Sequence, residues 1–173
     1  MRVLFPGRFQ PFHLGHLSVV KWALERFDEL VLIVGSAQES HTLYNPFTAG
    51  ERVEMIYNAL EEESLYKKVF LFPFMESISN KNWIHDVELV SPKFDAVITG
   101  NPLVITSIRD KYEVIVPKQF NREKYNSTLI RSMILKGDNW KDLVPYPVYE
   151  FIKRIHGEER MVDLSKTDKA PED

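Results

Sequence analysis

A chain of 173 residues, 44% hydrophobic and 27% charged, is long enough for one ordinary domain with a proper core, and the composition excludes a disordered class. A formal net charge of -3 disfavours a general nucleic-acid binder or an anionic-membrane binder, so no nucleic acid and no membrane are expected as partners and any anion site must be local. The lack of cysteine excludes disulfides, thiolate zinc sites and cysteine nucleophiles; with no signal-peptide pattern and no apolar run near the roughly 18 residues of a spanning helix, the expectation is a cytoplasmic protein.

"RVLF" (2–5) is a short apolar run ending at Pro6-Gly7 and reads as a buried strand. "LGHLSVVKWALERF" (14–27) repeats its apolar residues at helical spacing. "ELVLIVGS" (29–36) is a second strand ended by glycine, and "FTAGERVEMIYNALEEE" (47–63) is a helix whose Thr48 and Glu51 match a capping box. "KVFLFPF" (68–74) is a third strand, "NWIHDVELV" (82–90) a helix, "FDAVITG" (94–100) a fourth strand and "YEVIVP" (112–117) a fifth. "STLIRSMILKG" (127–137) is a helix with a Ser/Thr cap and a glycine stop, and "PVYEFIKRIHG" (147–157) a last helix. Unbroken apolar strands alternating with helices predict an α/β fold: a Rossmann-like doubly wound parallel sheet of about five strands with helices on both faces. Ligands in such sheets sit at the carboxyl ends of the strands, where strand order reverses. Residues 1–157 are expected to form the domain. Residues 158–173 are expected as its polar C-terminal tail, with much of "MVDLSKTDKAPED" (161–173) mobile unless an oligomer partner holds it.

"GRFQPFHLGH" (7–16) lies where the first strand turns into the first helix. His13 and His16 are three apart and project from one side of the helix start, close to Arg8. A helix N-terminus offers free N–H groups and the positive end of a dipole, a poor place for potential cations unless an anion balances them. A phosphate resolves the conflict, and Gly15 would permit close approach of backbone or ligand. "NSTLIR" (126–131) repeats the pattern: Ser127 or Thr128 caps a helix, and Arg131 about one turn in has the wrong sign for that position unless it grips a phosphate. Each motif alone also fits a plain surface turn; it is their pairing that points to an anion. No acidic residue lies within "GRFQPFHLGH" to complete a zinc site, so no protein-held metal is expected.

"GRFQPFHLGH" and "STLIR" resemble the H-x-G-H and S-T-x-x-R motifs of the nucleotidyltransferase superfamily. With "GSAQ", "PFTAGER", "NWIHDV" and "GNPLV", the chain is similar over nearly its whole length to the archaeal-type nicotinamide-nucleotide adenylyltransferases. The resemblance implies transfer of AMP from ATP to nicotinamide mononucleotide, giving NAD and pyrophosphate. Attack is in line, with Mg²⁺ carried on the ATP phosphates. It makes His13, His16, Arg8 and Arg131 the catalytic set, with His16 nearest the α-phosphate and Ser127 and Thr128 at the far end of the triphosphate. ATP would also meet Gly7, Phe9, Gly15, Gly100, Asn101 and Tyr125. The mononucleotide would meet Ser36, Gln38, Arg52, Asn82 and Trp83, the Trp83 ring stacking on nicotinamide. Some members carry an Arg near the end of the loop 36–45, where this chain has Tyr44. A homo-oligomer, a hexamer by resemblance, is also implied. The alternatives are a relative acting on pantetheine phosphate, FMN or a polyol phosphate, and a nucleotide-sensing module without chemistry.

Overall fold

The computed structural model describes residues 1–75, 82–118 and 120–167. Its centre is a five-stranded parallel sheet of β1 (Arg2–Gly7), β2 (Glu29–Val34), β3 (Val69–Pro73), β4 (Ala96–Ile98) and β5 (Glu113–Ile115), in the order β3-β2-β1-β4-β5. β1 is flanked by β2 in the register Leu4↔Val31 and by β4 in the register Leu4↔Val97. The order therefore reverses at β1, and the crevice beyond its carboxyl end is the natural ligand position.

Both faces of the sheet are covered, as the unbroken apolar strands require. Val3, Phe5, Leu30, Leu32, Val34, Ala96 and Ile98 pack in one cluster. The helices sharing that cluster are α1 (Leu14–Leu24), α2 (Ala49–Glu62), α5 (Ser127–Lys136), α6 (Tyr146–Arg154) and α7 (Gly157–Thr167). The alternate strand residues Leu4, Val31, Ile33 and Val97 pack on the other face against α3 (Trp83–Val90) and α4 (Pro102–Ile108). Period-two alternation thus divides the core between two helical layers.

Two predicted features differ. The 102–108 stretch is a helix, with Asn101 as N-cap and Pro102 at the first position. The polar tail is α7 as far as Thr167: Met161 is fully buried, and Arg160 bridges both oxygens of Glu51 at 2.7 and 2.8 Å. Residues 161–167 of the tail expected to be mobile are thus helical and anchored, and 168–173 lie outside the described residues. Met161, the Arg160–Glu51 pair, the contacts of Glu158 with Lys153 and Trp140, and the close fit at Gly157 hold the helix. A Cβ at Gly157 would stand 2.8 Å from Ile152 Cγ2.

Candidate active site

α1 begins with an unusual cap. His13 is the N-cap, and its Nδ1 accepts from the His16 N–H at 3.3 Å, while His16 Nδ1 accepts from the His13 N–H at 3.2 Å. This is a capping box built from two histidines in place of Ser/Thr and Glu. Because each Nδ1 accepts a backbone proton, each ring carries its own proton on Nε2. The rings stack at 3.6 Å and 19°. His13 is 6% exposed, whereas His16 is partly open and lines a cavity of about 770 Å³. Burial pushes the His13 pKa down to about 3; burial first, and the neighbouring His13 second, hold His16 well below the ordinary histidine value. The two histidines are therefore neutral N–H donors, not the cations expected from the sequence. Desolvation and their use as helix caps remove the charge.

Beneath them lies Phe9, 2% exposed, edge-on to Phe5 and to His16 at ring distances of 5.7 and 4.8 Å. Its φ of 53° is a left-handed conformation that a bulky side chain adopts at a strain of roughly 1–3 kcal/mol. The Phe9 side chain supports the His16 ring from inside the core. Gly15 is likewise explained within the chain. A Cβ there would meet the His13 ring at 2.9 Å and Tyr125 Cβ at 3.0 Å, so its bareness admits the capping ring.

The cations are the arginines. Arg8 donates to Asn45 Oδ1 at 3.1 Å, and its guanidinium lies 3.7 Å over the Tyr44 ring. Arg131, 6% exposed, donates to Gln10 O at 2.9 Å. Arg52, expected to touch substrate or stand as a surface charge, is no surface charge: it is fully buried and donates to Arg8 O at 2.8 Å, Gly35 O at 2.9 Å and Ser36 O at 3.1 Å. Burial, then the charge of Arg8, lowers its pKa to about 10, and burial with Arg8 also lowers that of Arg131. All three guanidinium groups bond neutral oxygens, so their charge is uncompensated by these contacts.

α5 is capped by Asn126, whose Oδ1 accepts from Leu129 N–H at 2.7 Å, not by Ser127 or Thr128. The Ser127 hydroxyl instead donates to Pro11 O at 3.0 Å, tying α5 to the first turn, and Thr128 Oγ1 accepts from Arg131 at 3.4 Å. Two cavities share Pro6, Thr99 and Asn101 at the carboxyl ends of β1 and β4. The smaller, about 420 Å³, is lined by Gly7, Arg8, Ser36 and Tyr44 among others; the larger by His13, His16, Gly100, Tyr125 and Ser127 among others. Asn101 stands at both, its Oδ1 engaged by Leu103 N–H at 3.0 Å.

Gln38 is exposed and lines neither cavity. Asn82 is exposed at the start of α3. Trp83 is 1% exposed, packed among Ile84, Val87 and Val104, and its indole N–H donates to Ser107 Oγ at 2.9 Å. The ring is thus buried in this structure, where the expectation had it stacking on nicotinamide.

The sequence profile described as Cytidylyltransferase-like matches residues 4–133. The chain belongs to that family. This cytidylyltransferase-like chain is 53% identical over 97% of its length to the nicotinamide-nucleotide adenylyltransferase of Sulfurisphaera tokodaii, covering 99% of that protein. It is 52% identical, again over 97% of its length, to the enzyme of the same name from Saccharolobus solfataricus, covering 99% of it. Among solved structures it superposes with a TM-score of 0.79 at 20% identity on a bifunctional NMN adenylyltransferase/ADP ribose pyrophosphatase from Francisella tularensis, complexed with AMP and manganese. That match covers 96% of this chain and 53% of the longer one.

Sequence reasoning missed Gln10, Asn45 and Thr99, all buried polar residues beside the site. Gln10 exchanges two hydrogen bonds with the Phe47 backbone, at 2.9 and 3.0 Å, locking the first turn to the approach of α2. Nothing in the periodicity marks a buried glutamine; the signal is only its place inside the turn.

Proposed function

We propose that the protein transfers AMP from ATP to nicotinamide mononucleotide, giving NAD and pyrophosphate. The observation that carries this is the His13–His16 capping pair, which lines the larger cavity at the switch point of the sheet, with Arg8 at the adjoining cavity and Arg131 tied to the same turn through Gln10 O. The names of relatives more than 50% identical over nearly their full length support the substrate pair.

A phosphate attacks as it stands, so no base is required. An oxygen of the mononucleotide phosphate bonds to the α-phosphorus, and the bond from that phosphorus to the oxygen bridging the β-phosphate breaks. Its electron pair leaves with pyrophosphate. Positioning and charge stabilisation then suffice. His16, open to the cavity, donates to the α-phosphate oxygens, with His13 beside it. Arg8 and Arg131 hold the β- and γ-phosphates, and the α5 N-terminus with Ser127 and Thr128 receives the far end. Gly100, Asn101 and Tyr125 border the adenosine position, and Ser36 faces the mononucleotide side.

Among the described residues no group of three or more His, Asp or Glu gathers to hold a metal, and the carboxylate at the smaller cavity is Glu39 alone. That donor set fits a divalent cation, Mg²⁺, arriving on the phosphates with few protein ligands. When bound, such an ion neutralises phosphate charge. The hexamer and the cytoplasmic location belong to the same reading; exposed Tyr57, Tyr66 and Phe70 beside the β3 edge offer apolar surface for self-association. No described helix is long and apolar enough to cross a membrane.

The test offers ATP and Mg²⁺ with nicotinamide mononucleotide, nicotinic acid mononucleotide, FMN or pantetheine phosphate, and measures pyrophosphate release. Turnover with either of the last two but not the first moves the protein to another branch of the family.

A further inference from the structure

Tyr44 stands on the loop between β2 and α2, 61% exposed, at the rim of the smaller cavity. Its loop is braced: Asn45 N–H donates to Thr42 Oγ1 at 3.0 Å, and Arg52 bonds the carbonyls of Ser36 and, at 3.5 Å, Glu39. The ring centroid is 3.7 Å from the Arg8 guanidinium carbon and 5.5 Å from that of Arg131. The next residue, Asn45, is 6% exposed and accepts from Arg8 at 3.1 Å.

Consecutive residues thus grip Arg8 in two directions. Asn45 takes an edge of the guanidinium, and Tyr44 lies over its face. All five guanidinium N–H groups point outward in the plane, so a ring over the face uses none of them. The remaining donors stay free for the bidentate geometry that a phosphate requires. The electron-rich face also sits where two arginines repel each other, as the lowering of the Arg131 pKa by Arg8 records. A flexible arginine at a cavity rim would otherwise surrender rotamer freedom when a ligand binds.

We propose that Tyr44 is a positioning residue that pre-sets Arg8 for polyphosphate, its ring acting as a platform and its hydroxyl playing no part. This deepens the adenylyltransferase reading and rests on it for the identity of the ligand.

The experiment compares wild type with Tyr44→Phe and Tyr44→Leu, alone and in an Arg8→Ala background. It measures pyrophosphate binding by calorimetry, the KM for ATP, kcat and the melting temperature. Tyr44→Phe is expected to retain wild-type affinity. Tyr44→Leu is expected to weaken pyrophosphate binding and raise the KM for ATP about three- to fivefold, the scale of one exposed cation–π contact, with kcat within about twofold. In the Arg8→Ala background the leucine penalty should vanish, which a general loosening of the loop would not produce. Wild-type affinity in Tyr44→Leu, an equal loss in Tyr44→Phe, or a penalty that persists without Arg8 overturns the proposal. A wild-type protein that binds pyrophosphate yet makes no NAD defeats the substrate assignment alone; one that binds no pyrophosphate defeats both.

Discussion

Replacing Arg52 by methionine keeps most of its length and removes all of its donors. In the native protein the guanidinium supplies hydrogen bonds to Arg8 O and Gly35 O, carbonyls at the ends of adjacent strands β1 and β2. Ser36 O and Thr48 O also accept from backbone N–H groups, of Glu39 and of Arg52 itself, and lose less. Two stranded buried carbonyls at about 1–3 kcal/mol each give about 2–6 kcal/mol, and relief from burying a cation trims this to about 2–4 kcal/mol. Arg52→Lys keeps the charge but not the fork and should lose roughly half as much. Urea unfolding of the empty protein reads the change as a shift in midpoint at constant slope. Because one stranded carbonyl is that of Arg8 itself, kcat/KM should fall as well, below the melting transition. A methionine variant within about 0.5 kcal/mol of wild type, the usual range for surface substitutions, would refute the clamp. If its KM for the mononucleotide alone rose, Arg52 would be returned to the substrate.

His16→Ala should lower turnover by on the order of 10²–10³ while ATP affinity changes less, since the donor acts on charge that develops during transfer; normal turnover at saturation would make it a ground-state anchor. For His13, a native pKa of about 3 against an ordinary 6.5 means the neutral form is favoured by folding. The stabilisation is complete above the unfolded value and is lost as pH falls from there toward the folded one. Between pH 6.5 and 5 this amounts to about 2 kcal/mol, and His13→Asn, which caps without titrating, should remove that share of the slope in the urea-stability profile and leave the share from His16; an unchanged profile would mean His13 charges freely in the fold. Trp83→Ala should lower stability by about 3–5 kcal/mol as a core deletion. A selective loss of mononucleotide affinity with stability intact would restore the stacking role.

The alternation of strands and helices was legible because every strand is an apolar run and the long helices repeat their apolar residues at helical spacing. The Thr48–Glu51 box and the Gly137 stop, at φ 74°, were equally plain, since local chemistry alone decides them. α4 escaped notice because Asn101-Pro102 reads as a turn, and a helix of seven residues is too short to show a period. α7 escaped because one buried methionine and polar contacts to other elements, Arg160 to Glu51 and Glu158 to Lys153 and Trp140, hold it. At the site, residue types and spacing located the two turns that the fold brings together. They could not reveal that the histidines are neutral, which is a property of burial, or that Phe9, Arg52 and Trp83 face inward. Nor could they distinguish a hydroxyl that caps its own helix from one that reaches across the fold to Pro11.

That reach of α5 also sets a timetable. The Arg131–Gln10 and Ser127–Pro11 bonds join residues 121 and 116 positions apart. A chain emerging from the ribosome could assemble β1, α1, β2, α2 and β3 while its nucleotide cleft was still missing one wall. That wall closes only when residue 131 has come back to residue 10, so a chain must be nearly whole before the groups of its first turn and those of α5 can act together.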